Sequence, residues 1–422
     1  MNTIKCLCWR HRYSPTAVYG EDETAKTIAL ANKEYHYVFS GNRIQKYAEN
    51  HVVLMETDEK SYRFCQEHEE SLHKGRLYMG LRQIATPWMR DEKKVHFFNI
   101  QEITARNYWK NYPITEISER KPDYHIAIIG FRSDGQGYSL LKYALVNNIL
   151  VENQAIIYDV FCSDAVRCSE FDELGNMNGD QVKWHNECWQ NNYEIIGWAD
   201  RIIITEAVTP EILNRLIPMC RTAKIFCYMP GEQNTPEKSW LSLYKYPELY
   251  FFGNIAEILT HEAIQTNKLY QEAMMANYYY ENLYGSEENQ RKIASAKNAD
   301  EKTALAEEFW EQLDGFSKSS NIAASDFREV QLAGLKREGV GLDALSMEEK
   351  RWMAKAEHIR WSRFHFVNHW RYGIPQNGKR KDPVQRIHAD LIPWEQLSCK
   401  EQQKDMDQIL AFLQYEEINI FT

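Results

Sequence analysis

His125 to Leu150 reads HIAIIGFRSDGQGYSLLKYALVNNIL, and this stretch decides the fold. Its first six residues form a short apolar run rich in isoleucine, which is typical of a strand buried in a parallel sheet. A glycine-containing turn follows, and YSLLKYALVNNIL carries the apolar spacing of a helix. A strand that passes through such a turn into a helix begins a β-α-β unit, so the sequence predicts a parallel α/β sheet here.

Strand and helix patterns continue to alternate after this stretch. The apolar runs QAIIYDVF, ADRIIITEA and AKIFCYM are predicted strands, and TPEILNRLIPMC is a predicted helix that begins at Thr209 and Pro210. A last strand after Tyr250 leads into a long helix. This alternation predicts a doubly wound, Rossmann-like parallel sheet over residues 119–285.

The flanking regions have other patterns. Residues 1–118 are predicted to be a smaller, degenerate α/β domain, with HYVFSGN, RIQKYAEN and HVVLMETDE as strand, short helix and strand. VHFFNIQEITARNYWKNYPI is a predicted strand followed by a helix. Residues 286–308 are charged and rich in alanine, which predicts a helical connector, and residues 309–422 are predicted to form an α-helical domain.

Composition narrows the class of protein. A chain of 422 residues with 44% hydrophobic and 26% charged residues is expected to form two or three globular domains. It has no long apolar run, so we expect no membrane insertion and a cytoplasmic location. A net charge of −10 opposes broad nucleic-acid binding. The odd number of cysteines, nine, fits free thiols; Cys6, Cys8 and His11 could supply three metal ligands, but without a second pair at zinc spacing we expect no metal.

The turn after the first central strand departs from the dinucleotide fingerprint. Gly130 and Gly135 take the outer glycine positions, but Arg132 stands where the middle glycine should be. Either Arg132 itself reaches a phosphate, or the site has lost its ligand and the domain serves as a scaffold. Asp159 follows at the expected place for a carboxylate that holds a ribose hydroxyl, although a strand-end carboxylate in water is the other interpretation.

The stretch from Lys355 to Asp405 combines tryptophans, histidines and basic residues on either side of a glycine-containing turn. Aromatic faces beside guanidinium and imidazole groups suit a planar, anionic ligand, although a small helical domain with a tryptophan core is an alternative. Ser346 and Glu349 predict a capping box at the start of the helix that enters this stretch.

Helical spacing places Met353, Glu357, Arg360 and Trp361 on one face of that helix. A buried charge is costly unless it is paired, so Glu357 and Arg360 are either a structural pair or the polar floor of a ligand pocket. Further along, the basic loop Lys379–Lys381 leads back to His388, which suggests a phosphate clamp beside an aromatic wall.

The order EHxRW, WRYG, a basic turn and H-x-x-L-x-PW-x-x-L resembles the bacterial ryanodine-receptor repeat (RyR) domain over about a hundred C-terminal residues. Trp310–Asn321 resembles its first helix, although Lys318 departs from the R-x-S-N pattern. The resemblance implies nucleotide binding at these positions: Asn321, Glu357, His358, Arg360, Trp361, Trp370, Arg371, Tyr372, Arg380 and His388.

The segment before it resembles the TrkA-N type of Rossmann nucleotide-binding domain, which implies nucleotide contacts at Gly130, Arg132, Gly135 and Asp159 and a homodimer or larger homo-oligomer. No catalytic motif is present. The leading hypothesis is a cytoplasmic sensor of a nucleotide-derived ligand (NAD, ADP-ribose or a cyclic nucleotide), with a role in phage defence. The alternatives are an NAD-dependent or nucleotide-cleaving enzyme under control of the RyR module, and a soluble regulator of an ion channel.

Overall fold

Strand patterns from the sequence correspond to two parallel sheets in the computed structural model, which describes residues 15–82, 95–118, 121–162, 168–171, 178–220, 222–231, 236–265, 268–339, 341, 344–376 and 378–419. The described strands are β1 (Thr16–Tyr19), β2 (Tyr37–Gly41), β3 (Asn50–Val53), β4 (Arg76–Leu81), β5 (Val95–Asn99), β6 (Asp123–Phe131), β7 (Ala155–Cys162), β8 (Gln181–His185), β9 (Arg201–Ile204), β10 (Lys224–Tyr228), β11 (Leu249–Phe252), β12 (Arg371–Tyr372), β13 (Lys381–Asp382) and β14 (Ile387–His388). The described α-helices are α1 (Glu23–Ala31), α2 (Asp58–Glu67), α3 (Glu69–Leu72), α4 (Ile100–Asn111), α5 (Gln136–Asn147), α6 (Tyr193–Trp198), α7 (Pro210–Leu216), α8 (Ile255–Ile258), α9 (His261–Ile264), α10 (Lys268–Tyr284), α11 (Glu287–Ser295), α12 (Ala299–Gln312), α13 (Gly315–Glu338), α14 (Met347–Val367) and α15 (Cys399–Asn419).

The central sheet has the strand order β11-β10-β9-β6-β7-β8, and all its neighbouring strands are parallel. Counted from β6, this is the doubly wound Rossmann order, which confirms the predicted fold class. The isoleucines of β6 are fully buried, as expected for a strand covered by helices on both faces. The strand order reverses between β6 and β9.

The N-terminal sheet has the order β2-β1-β3-β4-β5 and is also parallel throughout. The predicted short helix at residues 43–50 is wrong, because residues 43–49 are a non-helical connection from β2 and Asn50 already belongs to β3. The chain must return along the length of the sheet and cross β1. Eight helical residues would span only about 12 Å, whereas eight extended residues span about 27 Å.

The end of α4 is fixed to the central sheet by one buried arginine. Arg201 on β9 donates to the carbonyls of Tyr112 (2.7 Å) and Pro113 (3.2 Å). Its guanidinium lies 5.0 Å from the ring centre of Phe226 and 5.4 Å from that of Trp109. Backbone oxygens and aromatic faces therefore take the place of a carboxylate partner.

The C-terminal region, residues 309–419, is mostly helical as predicted, but its details differ. The predicted first helix at residues 310–321 is wrong in its bounds, because Asp314 interrupts it and caps α13 by accepting from the Ser317 N–H at 2.7 Å. The capping box of Ser346 and Glu349 is confirmed at the start of α14. A small sheet with the order β12-β14-β13 follows that helix.

Candidate ligand-binding cavity

A cavity of about 650 Å³ lies between α10, α13, α14, α15 and the small sheet. Its volume is in the range of small-molecule sites in proteins. The predicted residues that line it are Asn321, Glu357, His358, Arg360, Trp361, Trp370 and His388. The structure therefore brings together most of the residues that sequence spacing and the RyR resemblance suggested, and we call this space the C-terminal cavity.

Glu357 and Arg360 form a bidentate ion pair at the floor of the C-terminal cavity, with distances of 2.9 Å (Nε to Oε2) and 2.8 Å (Nη2 to Oε1). Burial raises the pKa of Glu357, and the adjacent guanidinium opposes that rise. Arg360 is only 1% exposed, and its Nη1 has no hydrogen-bond partner among the described residues. The pair is thus both structural and part of the cavity, and it leaves one buried donor unused.

Aromatic rings form one wall of the cavity. Trp361 is half-buried, with ring centres 4.1 Å from His365 and 4.8 Å from His388. Trp370 lies behind them, 5.2 Å from His365 and 5.1 Å from Phe316. Because Trp370 is buried against these rings while Trp361 keeps accessible surface, Trp361 is the member of the wall best placed to stack on a ligand.

Burial makes the two histidines of this wall neutral. It lowers the pKa of His388 to about 4, with the nearby positive charge of Lys381 adding to the effect, and it also lowers the pKa of His365 well below its usual value. The His388 Nδ1 accepts from the Asp390 N–H at 3.0 Å, so its Nε2 carries the proton. His365 instead bonds the Trp361 carbonyl through Nδ1 at 2.8 Å, which leaves its Nε2 as an acceptor.

Charges differ between the sides of the cavity. On the side of the small sheet, Lys381 is exposed, and Arg386 donates to the Asn368 carbonyl at 3.0 Å. On the α15 side, Glu401 pairs with Lys404 at 2.6 Å, and Asp405 adds a second carboxylate. The cavity can therefore receive an anionic group at one side and hydrogen-bond donors at the other.

Three predicted residues do not line the cavity. Arg371 is exposed on β12, and Tyr372 beside it is 53% exposed. Arg380 donates through Nε to Asp390 at 2.8 Å, and this Nε also lies 3.8 Å from Glu401. The predicted phosphate clamp thus loses Arg380 to carboxylates of the protein and keeps Lys381.

Met353 does not share the cavity face either. It packs in a hydrophobic core cluster with Trp394 and Leu397, one turn of α14 before Glu357. The predicted common face holds for Glu357, Arg360 and Trp361 only.

Sequence reasoning missed the walls that come from α10 and α15, and on α13 it predicted only Asn321. On each helix most of the lining residues are separated by three, four or seven positions and so share one face. They are Asn277, Tyr280 and Glu281 on α10, Ser317, Ser320 and Ala324 on α13, and Glu401, Lys404, Asp405 and Gln408 on α15. Polar stripes at this spacing were the available signal, and Asn277 is the most informative member, because it is 3% exposed and its Nδ2 has no hydrogen-bond partner in the described part of the chain.

The glycine turn after β6 is closed by protein groups. Gly130 has φ of +78°, and a Cβ there would lie 2.5 Å from Glu206 Cβ, so the loop after β9 fills the approach to it. Gly137, rather than Gly135, provides close helix packing, since its Cβ would lie 3.2 Å from Phe131 Cα. Gly135 is the N-cap residue of α5.

Arg132 and Asp159, the remaining predicted nucleotide contacts, do not line the C-terminal cavity. Arg132 is exposed and donates to its neighbour Asp134 at 3.0 and 3.2 Å. Asp159 lies within β7, not at its end as predicted, and its carboxylate is buried 2.8 Å from His185 Nε2 on β8. These contacts fit the scaffold interpretation of the central sheet better than a phosphate contact by Arg132.

Within the described ranges, no group of three or more His, Cys, Asp or Glu side chains is arranged to hold a metal. The Cys6, Cys8 and His11 set lies outside the described residues. Among the helices that are described, none is both long and apolar enough to cross a bilayer.

Comparisons with known proteins identify no family. No family model and no curated protein matches the sequence. Similar solved structures include ornithine transcarbamoylase from Giardia lamblia (10% identity, 63% of this chain and 90% of that chain, TM-score 0.33). An N-acetyl-L-ornithine transcarbamylase complexed with PALAO (8% identity, 58% and 88%, TM-score 0.29) and Salmonella D-lactate dehydrogenase (12% identity, 58% and 92%, TM-score 0.22) are also similar. At these scores they carry no argument about function.

Proposed function

We propose that the C-terminal cavity binds a nucleotide-derived small molecule and that the chain is a cytoplasmic regulatory protein that senses it. The observation that carries this proposal is the unused Nη1 donor of Arg360 in the floor of the cavity. A buried donor without a partner is costly, and an acceptor atom of a ligand would remove that cost.

The rest of the cavity matches the parts of a nucleotide. Trp361 offers an aromatic face to a base, and Lys381 at the rim offers a positive charge to a phosphate. The carboxylates of Glu401 and Asp405 on α15 can accept from ribose hydroxyls. The RyR resemblance supports the same ligand class, with NAD, ADP-ribose and cyclic nucleotides as the candidates.

In this proposal the central sheet mediates assembly. The TrkA-N resemblance implies a homodimer or larger homo-oligomer, and the closed glycine turn supports a scaffold role. Ligand binding would then change the assembly, for which phage defence is our proposed setting. Light scattering after size exclusion, with and without saturating ligand, measures that change directly.

Calorimetry tests ligand binding. Wild-type protein is titrated with NAD, ADP-ribose, cyclic AMP and adenosine, and we expect one of the phosphate-containing compounds to bind more tightly than adenosine. Arg360→Lys keeps the charge beside Glu357 but loses the forked donors, and Lys381→Met removes the rim charge. Each should weaken binding about 10-fold or more, the scale of a charge-assisted hydrogen bond.

The matched control is Lys400→Met, because Lys400 is exposed at the start of α15 and does not line the cavity. The proposal is wrong if all four compounds fail to bind, or if Lys400→Met weakens binding as much as Lys381→Met does. Chromatography of the titrated nucleotides tests the enzyme hypothesis. Conversion of NAD to products would mean that the protein is an enzyme and not only a sensor.

A further inference from the structure

A second, smaller cavity lies where the regions of the chain meet. Its volume is about 140 Å³, and its walls come from β5, α4, α5, α10, α12, α13 and the end of α14. We call it the junction cavity. Asn368 lines both cavities.

Lys142 is the unusual group in the junction cavity. It lies on α5, is only 8% exposed, and sits in a position where an apolar residue would be expected. Its Nζ is 3.5 Å from Asn368 Oδ1 and 3.9 Å from Glu102 Oε1. An ammonium has three donors, and contacts at these distances satisfy them poorly.

Arg106 also lines the junction cavity, but its guanidinium is already paired within the protein. Arg106 is held by Asp326 in a bidentate pair of 2.6 and 2.8 Å. Burial lowers the pKa of Lys142, and Glu102 and Glu170 oppose the effect only in part. A buried cation with weak partners is costly, and an added anion would stabilise it.

The remaining lining is mixed: Phe98, Tyr270, Trp310 and Phe364 supply aromatic surface, whereas Glu311 and Lys318 add charged groups. A cavity of about 150 Å³ lined by apolar side chains accepts a molecule of the size of benzene. The aromatic part of the junction cavity therefore suits an apolar body of about that size, with Lys142 at its polar part.

We propose that the junction cavity is a second ligand site, which takes a small organic monocarboxylate. Its carboxylate accepts hydrogen bonds from Lys142 Nζ, and its apolar body packs between the aromatic walls. Because the walls come from the N-terminal region, the central sheet and the C-terminal region, such a ligand contacts all three at once.

Three probes separate the parts of this proposal on the wild-type protein. Benzoate carries both the charge and the ring, benzyl alcohol keeps the ring without the charge, and inorganic phosphate keeps charge without an apolar body. Binding is measured by calorimetry and by the shift of the melting temperature. We expect benzoate to bind at least about 10-fold more tightly than either other probe, because a charge-assisted hydrogen bond distinguishes it from the alcohol.

Two variants then locate the site. Lys142→Met removes the ammonium and should weaken benzoate binding at least about 10-fold, while Ser319→Leu keeps Lys142 and fills part of the cavity, which should abolish binding. Lys110→Met is the control, because Lys110 is on α4, which also lines the cavity, but is 62% exposed and pairs with Glu329. It should leave benzoate binding unchanged.

Equal affinity for benzoate and benzyl alcohol on the wild-type protein would overturn the proposal without any variant, as would the absence of benzoate binding. Unchanged binding to Lys142→Met or to Ser319→Leu would also overturn it. If Lys142→Met does not fold, the comparison of the three probes and Ser319→Leu still decide. Nucleotide binding to Arg360→Lys is measured separately, so failure of one site is distinguishable from failure of the other.

Discussion

The ion pair of Asp180 and Arg363 gives the sharpest prediction about how the C-terminal region is held to the central sheet. Both side chains are fully buried, with Arg363 Nη1 2.8 Å from Asp180 Oδ2 and 2.8 Å from the Leu145 carbonyl. Asp180 also accepts from the Ile156 N–H at 2.9 Å. Removal of one partner from a buried pair typically costs about 3–5 kcal/mol, since the other charge is left uncompensated.

The two single substitutions should nevertheless differ in their dependence on pH. In Asp180→Asn the buried guanidinium cannot lose its proton, so the cost, about 4 kcal/mol at pH 7, does not shrink as the pH falls to 5. In Arg363→Met the carboxyl can take up a proton, and burial already raises the pKa of Asp180. Neutralising a carboxyl with an unfolded-state pKa of 3.9 costs about 4 kcal/mol at pH 7 but only about 1.5 kcal/mol at pH 5.

The direction of this pH dependence follows from the number of protons bound in the folded and unfolded states. In Arg363→Met the folded state holds a proton that the unfolded state lacks above pH 4, so this variant gains stability relative to wild type as the pH falls. We expect its destabilisation to shrink by about 2.5 kcal/mol between pH 7 and pH 5, whereas that of Asp180→Asn should not.

Equilibrium urea unfolding, followed by tryptophan fluorescence, measures both variants against wild type at each pH. Lys292→Met is the control, because Lys292 forms an exposed pair with Glu308 and its loss should cost far less than the loss of a buried partner. If the two buried-site variants show the same pH dependence, or if neither costs more than the control, the reasoning about this pair is refuted.

Three further predictions follow from single sites. The pKa of His388 is lowered from 6.5 to about 4, so between these pH values the unfolded state binds more protons than the folded state. Between pH 7.5 and pH 5, wild type should therefore lose about 2 kcal/mol more stability in urea unfolding than His388→Gln. Equal losses of stability would contradict this. Gly130→Ala and Gly378→Ala both place a side chain at positive φ, but only at position 130 would the new Cβ meet another residue, Glu206 at 2.5 Å. Gly130→Ala should therefore have the lower melting temperature by calorimetry. Similar melting temperatures would contradict this explanation. Arg201→Met leaves the Tyr112 and Pro113 carbonyls without these donors and should lower the free energy of unfolding in urea by about 2–4 kcal/mol. A decrease below about 1 kcal/mol would contradict this.

The fold of the central sheet was predictable, because strands buried on both faces have a distinctive apolar pattern. The connection between β2 and β3 was not, because its length only excludes a helix once the strand order is known. Asp159 illustrates the same limit at a site: its partner His185 is 26 residues away on the next strand, and only sheet register brings them together.

For the C-terminal cavity, local spacing within α14 was enough to place Glu357, Arg360 and Trp361 together. Whether Arg380 would face a ligand or a carboxylate of the protein depended on where Asp390 and α15 lie, which spacing cannot show. The contribution of α10 was missed for a related reason, since the sequence placed this helix in the domain of the central sheet, whereas Asn277 and Tyr280 line the C-terminal cavity.

The wall from α10 determines which fragments of the chain keep the complete C-terminal cavity. A fragment that begins at residue 309 would carry Arg360 and Trp361 but lack Asn277 and Tyr280, so its site would miss one wall. Conversely, any molecule held between α10 and α14 resists their separation, by about 2.7 kcal/mol when its concentration is a hundred times its dissociation constant. A bound ligand would then reversibly stabilise the packing of the C-terminal region against the rest of the chain.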